Sequence, residues 1–298
     1  MKLHGCIPIV VTPFDAEGNI DETSLRAQAE WLIQKGVHGL AMPAIASEGY
    51  KLSDVERERV VRIVVETTAR RVPVVVSADG NGTDVAVGRA RALAQLGADA
   101  LMVLPPSFVK PDHENLFRYY VRMAQAANLP LMVQEAPQLT GVTMPASFLA
   151  RLQRECPLIN SIKIEGTPSG PKTSEILQLT VGQMAVFAGW GGLSFWDGLL
   201  RGAQGCMPAP NFGPVFARIY ELFVAGQREA AHAIFNRITP FISFSMQHID
   251  ISVWTAKESL ARMGIIRMAT LREPATLPDA VMREQFETFF ADFAKAGD

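Results

Sequence analysis

Short apolar runs alternate with amphipathic segments along most of this chain. The runs are "IPIVV" (7–11), "GLAMP" (39–43), "PVVVS" (73–77), "ALMVL" (100–104), "PLMVQ" (130–134), "NSIKI" (160–164), "AVFAG" (185–189) and "GCMPA" (205–209). Each is too short for a helix, and most are apolar at consecutive positions, as strands buried on both faces are. Between them lie helical patterns. In "DETSLRAQAEWLIQKG" (21–36) Leu25, Ala29, Leu32 and Ile33 share one face and Gly36 supplies a stop. "LSDVERERVVRIVVETT" (52–68) opens with Ser53 as N-cap and Glu56 three residues on, a capping box, and "TDVAVGRARALAQLG" (83–97) ends on Gly97. Strand and helix alternating eight times at a spacing of about 20–35 residues predicts an α/β fold of the (β/α)8 TIM barrel type, with a doubly wound sheet as the alternative. After residue 226 the strands stop and three helical patterns follow: "QREAAHAIFNRITPFISFSM", "SVWTAKESLARMG" and "PDAVMREQFETFFADFAKAG". The expected organisation is a barrel over 1–226 and a C-terminal three-helix extension over 227–298 packed on it.

Composition narrows the partners. A length of 298 residues suits one barrel as well as two domains, so pattern decides. With 48% hydrophobic and 19% charged residues, a net charge of −2 and no basic patch, nucleic acid is not an expected partner. The N-terminal apolar run is broken at Thr12-Pro13, too short for a signal segment or a membrane span, so a cytoplasmic protein without a membrane partner is expected. Cys6, Cys156 and Cys206 lack CxxC or CxxxH spacing, and His4, His38, His113, His232 and His248 form no ligand pair. Neither a disulfide nor a metal is therefore expected, and the cysteines read as small buried hydrophobes.

Catalytic groups in such a barrel sit at the C-terminal ends of the strands. One strand there is unusual: "INSIKIEG" (159–166) sets a lysine and a glutamate into an apolar run. If Ile162 and Ile164 face the helices, then Ser161, Lys163 and Glu165 face the barrel interior. The same parity sends Leu131 and Val133 outward and Gln134 inward, so Gln134, Lys163 and Glu165 converge on one mouth. A free lysine is unprotonated about once in two thousand at pH 7, but a dry interior lowers its pKa. The amine then forms an imine with a 2-oxo acid, an electron sink for carbanion chemistry at C3 that needs a proton acceptor nearby. Against this stands the plainer reading, a lysine snorkelling from a strand end or paired structurally with Glu165. Gly189 and Pro208, at the ends of the seventh and eighth runs, are candidates to line the substrate. "GWGGLSFW" (189–196) lacks the GxGxxG order; it is read as a mouth loop with Trp190 packing on an aliphatic ligand, or as a phosphate site.

Several of these stretches resemble the dihydrodipicolinate synthase / N-acetylneuraminate lyase family of Schiff-base barrels: "GCIPIVVTPFDAEGNID", "ADALMVLPPSFVKP", "PQLTG" and "IKIEG". The resemblance covers most of the chain in order. It implies that Lys163 forms the imine, that no cofactor is used, and that the protein is a homotetramer built from tight dimers. The departures are informative. Where the family usually carries Gly-Thr-Thr-Gly-Glu, this chain has Ala44, Ile45, Ala46, Ser47 and Glu48. The backbone N–H groups of Ala46 and Ser47, with the Ser47 hydroxyl, are the expected holders of a substrate carboxylate. The family's proton-shuttling tyrosine matches Gln134, which cannot donate and recover a proton near pH 7. Glu165 is therefore the expected acid/base and Glu135 its rival, although parity turns Glu135 outward. Leu139 stands where an arginine would meet a second carboxylate, and Ser107 and Phe108 near a second tyrosine. The implied activity is a lyase, aldolase or dehydratase, acting on pyruvate or a 2-keto-3-deoxy sugar acid. A non-catalytic 2-oxo-acid binder is the alternative, and 4-hydroxy-tetrahydrodipicolinate synthase is the least expected family activity.

Overall fold

The computed structural model describes residues 2–294. Eight parallel strands form one sheet in the order β1-β8-β7-β6-β5-β4-β3-β2. They are β1 Gly5–Cys6, β2 Leu40–Met42, β3 Val74–Ser77, β4 Ala100–Val103, β5 Leu131–Glu135, β6 Ile159–Ile164, β7 Ala185–Ala188 and β8 Gly205–Cys206. A parallel bridge between Ile9 and Ala41 joins the two edges, so the sheet closes on itself as a TIM barrel. Seven of the eight predicted runs overlap strands, whereas the first, 7–11, begins one residue after β1 and contributes only the bridge at Ile9. β1 and β8 both stop two residues before a proline, Pro8 and Pro208, which carries no N–H to continue a ladder. Alternate residues still pair there: Ile7 N–H donates to Cys206 O (2.9 Å) and Ile9 N–H to Pro208 O (2.8 Å).

The surrounding helices are α1 Glu22–Gln34, α2 Asp54–Thr68, α3 Thr83–Gln95, α4 His113–Ala127, α5 Pro137–Thr140, α6 Ala146–Glu155, α7 Ser169–Leu179, α8 Phe195–Leu200 and α9 Gly213–Val224. Asp21 caps α1 by accepting from Ser24 N–H, and the Ser53–Glu56 capping box opens α2. The C-terminal extension comprises α10 Arg228–Ser245, α11 Ile249–Arg262 and α12 Ala280–Ala294; residues 295–297 of the third predicted helical pattern lie outside the described residues.

The apolar residues sort into three cores, which confirms the alternation read from the strands. Leu131, Val133, Ile162 and Ile164 pack outward with the ring of helices. Ile9, Met102, Met132, Phe187 and Met207 fill the interior. A third core joins Phe195, Phe212 and Phe216 to Phe235, Phe241, Trp254 and Phe286 of the extension. The extension thus shares a core with the barrel rather than touching it at a polar seam. No helix among the described residues is long and apolar enough to cross a membrane.

Candidate active site

β5 and β6 run in register at their C-terminal ends, with Gln134 opposite Lys163. The single irregularity in their pairing lies earlier, at Leu131/Met132, where β6 carries an extra residue, so it does not disturb the inward parity above it. Lys163 is the only lysine in a strand among the described residues. Its Nζ lies 2.9 Å from Glu165 Oε1, with both side chains more than 90% buried. The Gln134 amide donates to the same Oε1 at 2.7 Å, which leaves the Gln134 carbonyl oxygen buried without a protein donor. An orphan acceptor beside a lysine–carboxylate pair is the kind of group a substrate hydroxyl satisfies. Gly189 makes room for this arrangement. A Cβ there would collide with Glu165 Cγ and sit 3.1 Å from Lys163 Cε. Gly189 is therefore space for the pair, not a lining residue of the cavity. Pro208 does line it.

The turn after β2 is organised from behind. Ala46 borders the cavity, but Ser47 is fully buried and committed elsewhere. Its hydroxyl donates to Val10 O (2.6 Å) and accepts from Ala44 N–H (3.1 Å), while its own N–H donates to Ala44 O (3.1 Å). Of the pair expected to hold a carboxylate, only Ala46 faces the cavity. The next residue, Glu48, adopts the left-handed conformation with φ 55° and is completely buried. It pairs with Lys257 of α11, accepts from Lys51 Nζ (3.2 Å) and accepts from Arg272 N–H (3.0 Å). Burial pushes the Lys257 ammonium down to about 8, against the upward pull of Glu48. Removing one partner of a buried pair strands the other charge. Lys257→Met is therefore expected to lower stability by ~3 kcal/mol in chemical denaturation, with partial recovery in Lys257→Met/Glu48→Gln. A single variant within ~0.5 kcal/mol of the parent would count against this role.

Glu135 is fully buried on the opposite side of its strand. It accepts from Met144 N–H at 3.0 Å and pairs with Lys172 of α7. It does not reach the cavity, in keeping with its outward parity. The cavity, about 40 Å³, is bounded by Ile9, Ile45, Ala46, Gln134, Leu139, Lys163, Glu165, Trp190, Gly191, Met207, Pro208, Ala209, Met246, Ile249 and Ser252. Met246, Ile249 and Ser252 escaped the sequence reading, because nothing local marks the turn between α10 and α11 as part of a mouth built 80 residues earlier on β6. His248 caps α11 through Asp250 N–H and borders an outer recess. Among the described residues, no group of three His, Cys, Asp or Glu side chains is placed to hold a metal ion.

A closed parallel barrel with a buried lysine and carboxylate touching at its C-terminal mouth is an enzyme-like architecture. The chain belongs to the dihydrodipicolinate synthetase family, whose model matches residues 2–292. It is 31% identical over 278 residues to the L-2-keto-3-deoxyarabonate dehydratase of Azospirillum brasilense, covering 91% of this chain and 88% of that one. It is 32% identical over 278 residues to a 4-hydroxy-tetrahydrodipicolinate synthase of Rhizobium meliloti, covering 91% of each. The crystal structure of the dihydrodipicolinate synthase of Acinetobacter baumannii, complexed with pyruvate, superposes with a TM-score of 0.91 at 27% identity, over 99% of both chains.

Proposed function

We propose that this protein is a Schiff-base lyase that acts on a 2-oxo acid of pyruvate skeleton. The observation that carries the reading is the buried contact of Lys163 Nζ with Glu165 Oε1 at the base of the cavity. Lys163, once deprotonated by its neighbour, attacks the C2 carbonyl; Glu165 returns the proton as water leaves, and the imine draws electrons from C3. Glu165 then handles the proton at C3 or on the C4 hydroxyl, which gives elimination of water or cleavage of the C3–C4 bond. Ala46 lines the cavity with Lys163, and its backbone N–H suits the substrate carboxylate. Family membership and a dehydratase relative of a 2-keto-3-deoxy acid support the same class. The homotetramer implied by the family resemblance is part of the proposal, and sedimentation velocity checks it.

Borohydride reduction in the presence of pyruvate tests the reading. The expected result is one covalent pyruvyl adduct by intact mass, mapped to Lys163 by peptide analysis. An unmodified Lys163, or an adduct on another lysine, would overturn it.

The acceptor side excludes a second charge. Leu139, 46% exposed, lines the cavity where an arginine would be needed, so a second carboxylate arriving there finds no cation to pair with. Condensation of pyruvate with aspartate semialdehyde is expected to be at least ~10-fold less efficient than with an uncharged aldehyde of equal length, measured as kcat/KM. Equal efficiency would refute the assignment of Leu139.

A further inference from the structure

On the Schiff-base reading, we infer that the substrate is a 4-hydroxy-2-oxo acid whose chain beyond C4 is apolar, an alkyl or aryl group rather than a polyol. Three polar side chains of the cavity, Gln134, Lys163 and Glu165, stand at the reacting end and bond one another. Among them the Gln134 carbonyl, buried without a protein donor, can accept one substrate hydroxyl, at C4. The large side chains of the outer wall are Ile45, Leu139, Trp190, Met246 and Ile249, and Ser252 supplies the only hydroxyl of the lining. That hydroxyl is turned to Met246 Sδ at 3.5 Å.

The apolar wall is built at conformational expense. Trp190 holds φ 48°, which a bulky residue rarely adopts, and Gly191 follows at φ 66°. A Cβ at 191 would lie 2.7 Å from Met246 Cγ, so glycine is what lets the methionine close over the loop. The outer recess shares Ile45, Leu139 and Ile249 with the cavity, which leaves room for a long or aromatic substituent. Two of its polar side chains bond within the protein: Tyr50 donates to Asp250 Oδ1 at 3.2 Å, and Asp250 Oδ2 accepts from Thr276 N–H at 2.8 Å. A second substrate hydroxyl, at C5, would exchange water for hydrocarbon, whereas a methyl group there would gain by leaving water.

The chemistry balances without a further reactant. In the cleavage direction Glu165 takes the C4 hydroxyl proton, the C3–C4 bond breaks, and its electron pair enters the iminium as an enamine while the apolar aldehyde departs. Glu165 returns the proton to C3, and water hydrolyses the imine to pyruvate and free Lys163. Elimination instead removes a C3 proton and releases the C4 hydroxyl as water from the same bound acid.

The test compares two acids of equal chain size, 4-hydroxy-2-oxohexanoate and 4,5-dihydroxy-2-oxopentanoate, which differ by a terminal methyl in place of a hydroxyl. Consumption of each by the full chain is followed by proton NMR, and each is also competed against pyruvate for the borohydride-trapped adduct at Lys163. The expected result is a kcat/KM at least ~10-fold higher for the hexanoate and the same rank order in competition. Met246→Gln should shrink that ratio at least ~fivefold, within the discrimination that one apolar contact supplies. Equal or better use of the dihydroxy acid overturns the inference alone, and if neither acid is consumed, equal or better competition by the dihydroxy acid does so. Failure of pyruvate itself to trap at Lys163 overturns the Schiff-base reading and this inference with it.

Discussion

Lys163→Arg is expected to abolish borohydride trapping with pyruvate and to reduce turnover by at least ~10⁴-fold while the fold is retained. The magnitude follows from the role: a group that forms the covalent intermediate has no partial substitute, so what remains is catalysis by binding and by the surrounding dipoles. Arginine is the informative replacement. It keeps the positive charge beside Glu165, 2.9 Å from the lysine nitrogen, so the carboxylate is not left unpaired in a buried site. Its guanidinium stays protonated throughout the accessible pH range and cannot become the nucleophile. Loss of the adduct with an unchanged denaturation midpoint therefore isolates chemistry from stability. Persistence of a pyruvyl adduct in this variant would move the nucleophile to another lysine. Lys257 is the other lysine fully buried among the described residues, but it faces Glu48 behind the 44–48 turn and does not line the cavity.

The parts of this site legible in the sequence are those set by strand periodicity. Two-residue alternation puts Gln134, Lys163 and Glu165 on one face and Glu135 on the other, and the barrel preserves it because the pairing irregularity between β5 and β6 falls before these residues. The capping box at Ser53 and the eight-fold strand–helix rhythm were equally local and equally readable. What the sequence concealed is long-range. Glu48 meets a lysine 209 positions away, and the outer wall is closed by Met246, Ile249 and Ser252 from the turn that opens α11. Ser47 shows a different limit. Its type suits a ligand contact, yet its hydroxyl is spent on Val10 O and Ala44 N–H, and only the folded turn reveals this. Gly189 likewise stood as a possible substrate contact because it ends a strand, whereas its missing Cβ serves Glu165.

Glu165→Gln is expected to leave pyruvate trapping detectable while turnover falls by about 10²–10⁴-fold, the usual worth of a positioned general acid/base. A lysine–carboxylate contact of 2.9 Å is compatible with two roles. As a static counter-ion, Glu165 would hold the lysine protonated and oppose imine formation. As an acid/base, it would relay the proton that the missing tyrosine relays elsewhere in the family, and Gln134, an amide without an exchangeable acid, cannot. The surroundings favour the second. Oε1 contacts both donors, Gln134 and Lys163, so proton transfer along the existing contact needs no rearrangement. Glutamine preserves shape and a hydrogen bond but removes the titrating group, so the two roles part in the readout. A counter-ion's loss would leave turnover level or raise it as the amine loses its proton more easily, whereas an acid/base's loss depresses turnover and flattens the pH profile. Glu135→Gln is the companion experiment. Its carboxylate is tied to Met144 N–H and Lys172 on the far side of β5, so the variant should lose stability rather than chemistry. If turnover survives in Glu165→Gln and collapses in Glu135→Gln with folding intact, the proton passes through Glu135, and the inward face of β5 and β6 is not where the reaction is run.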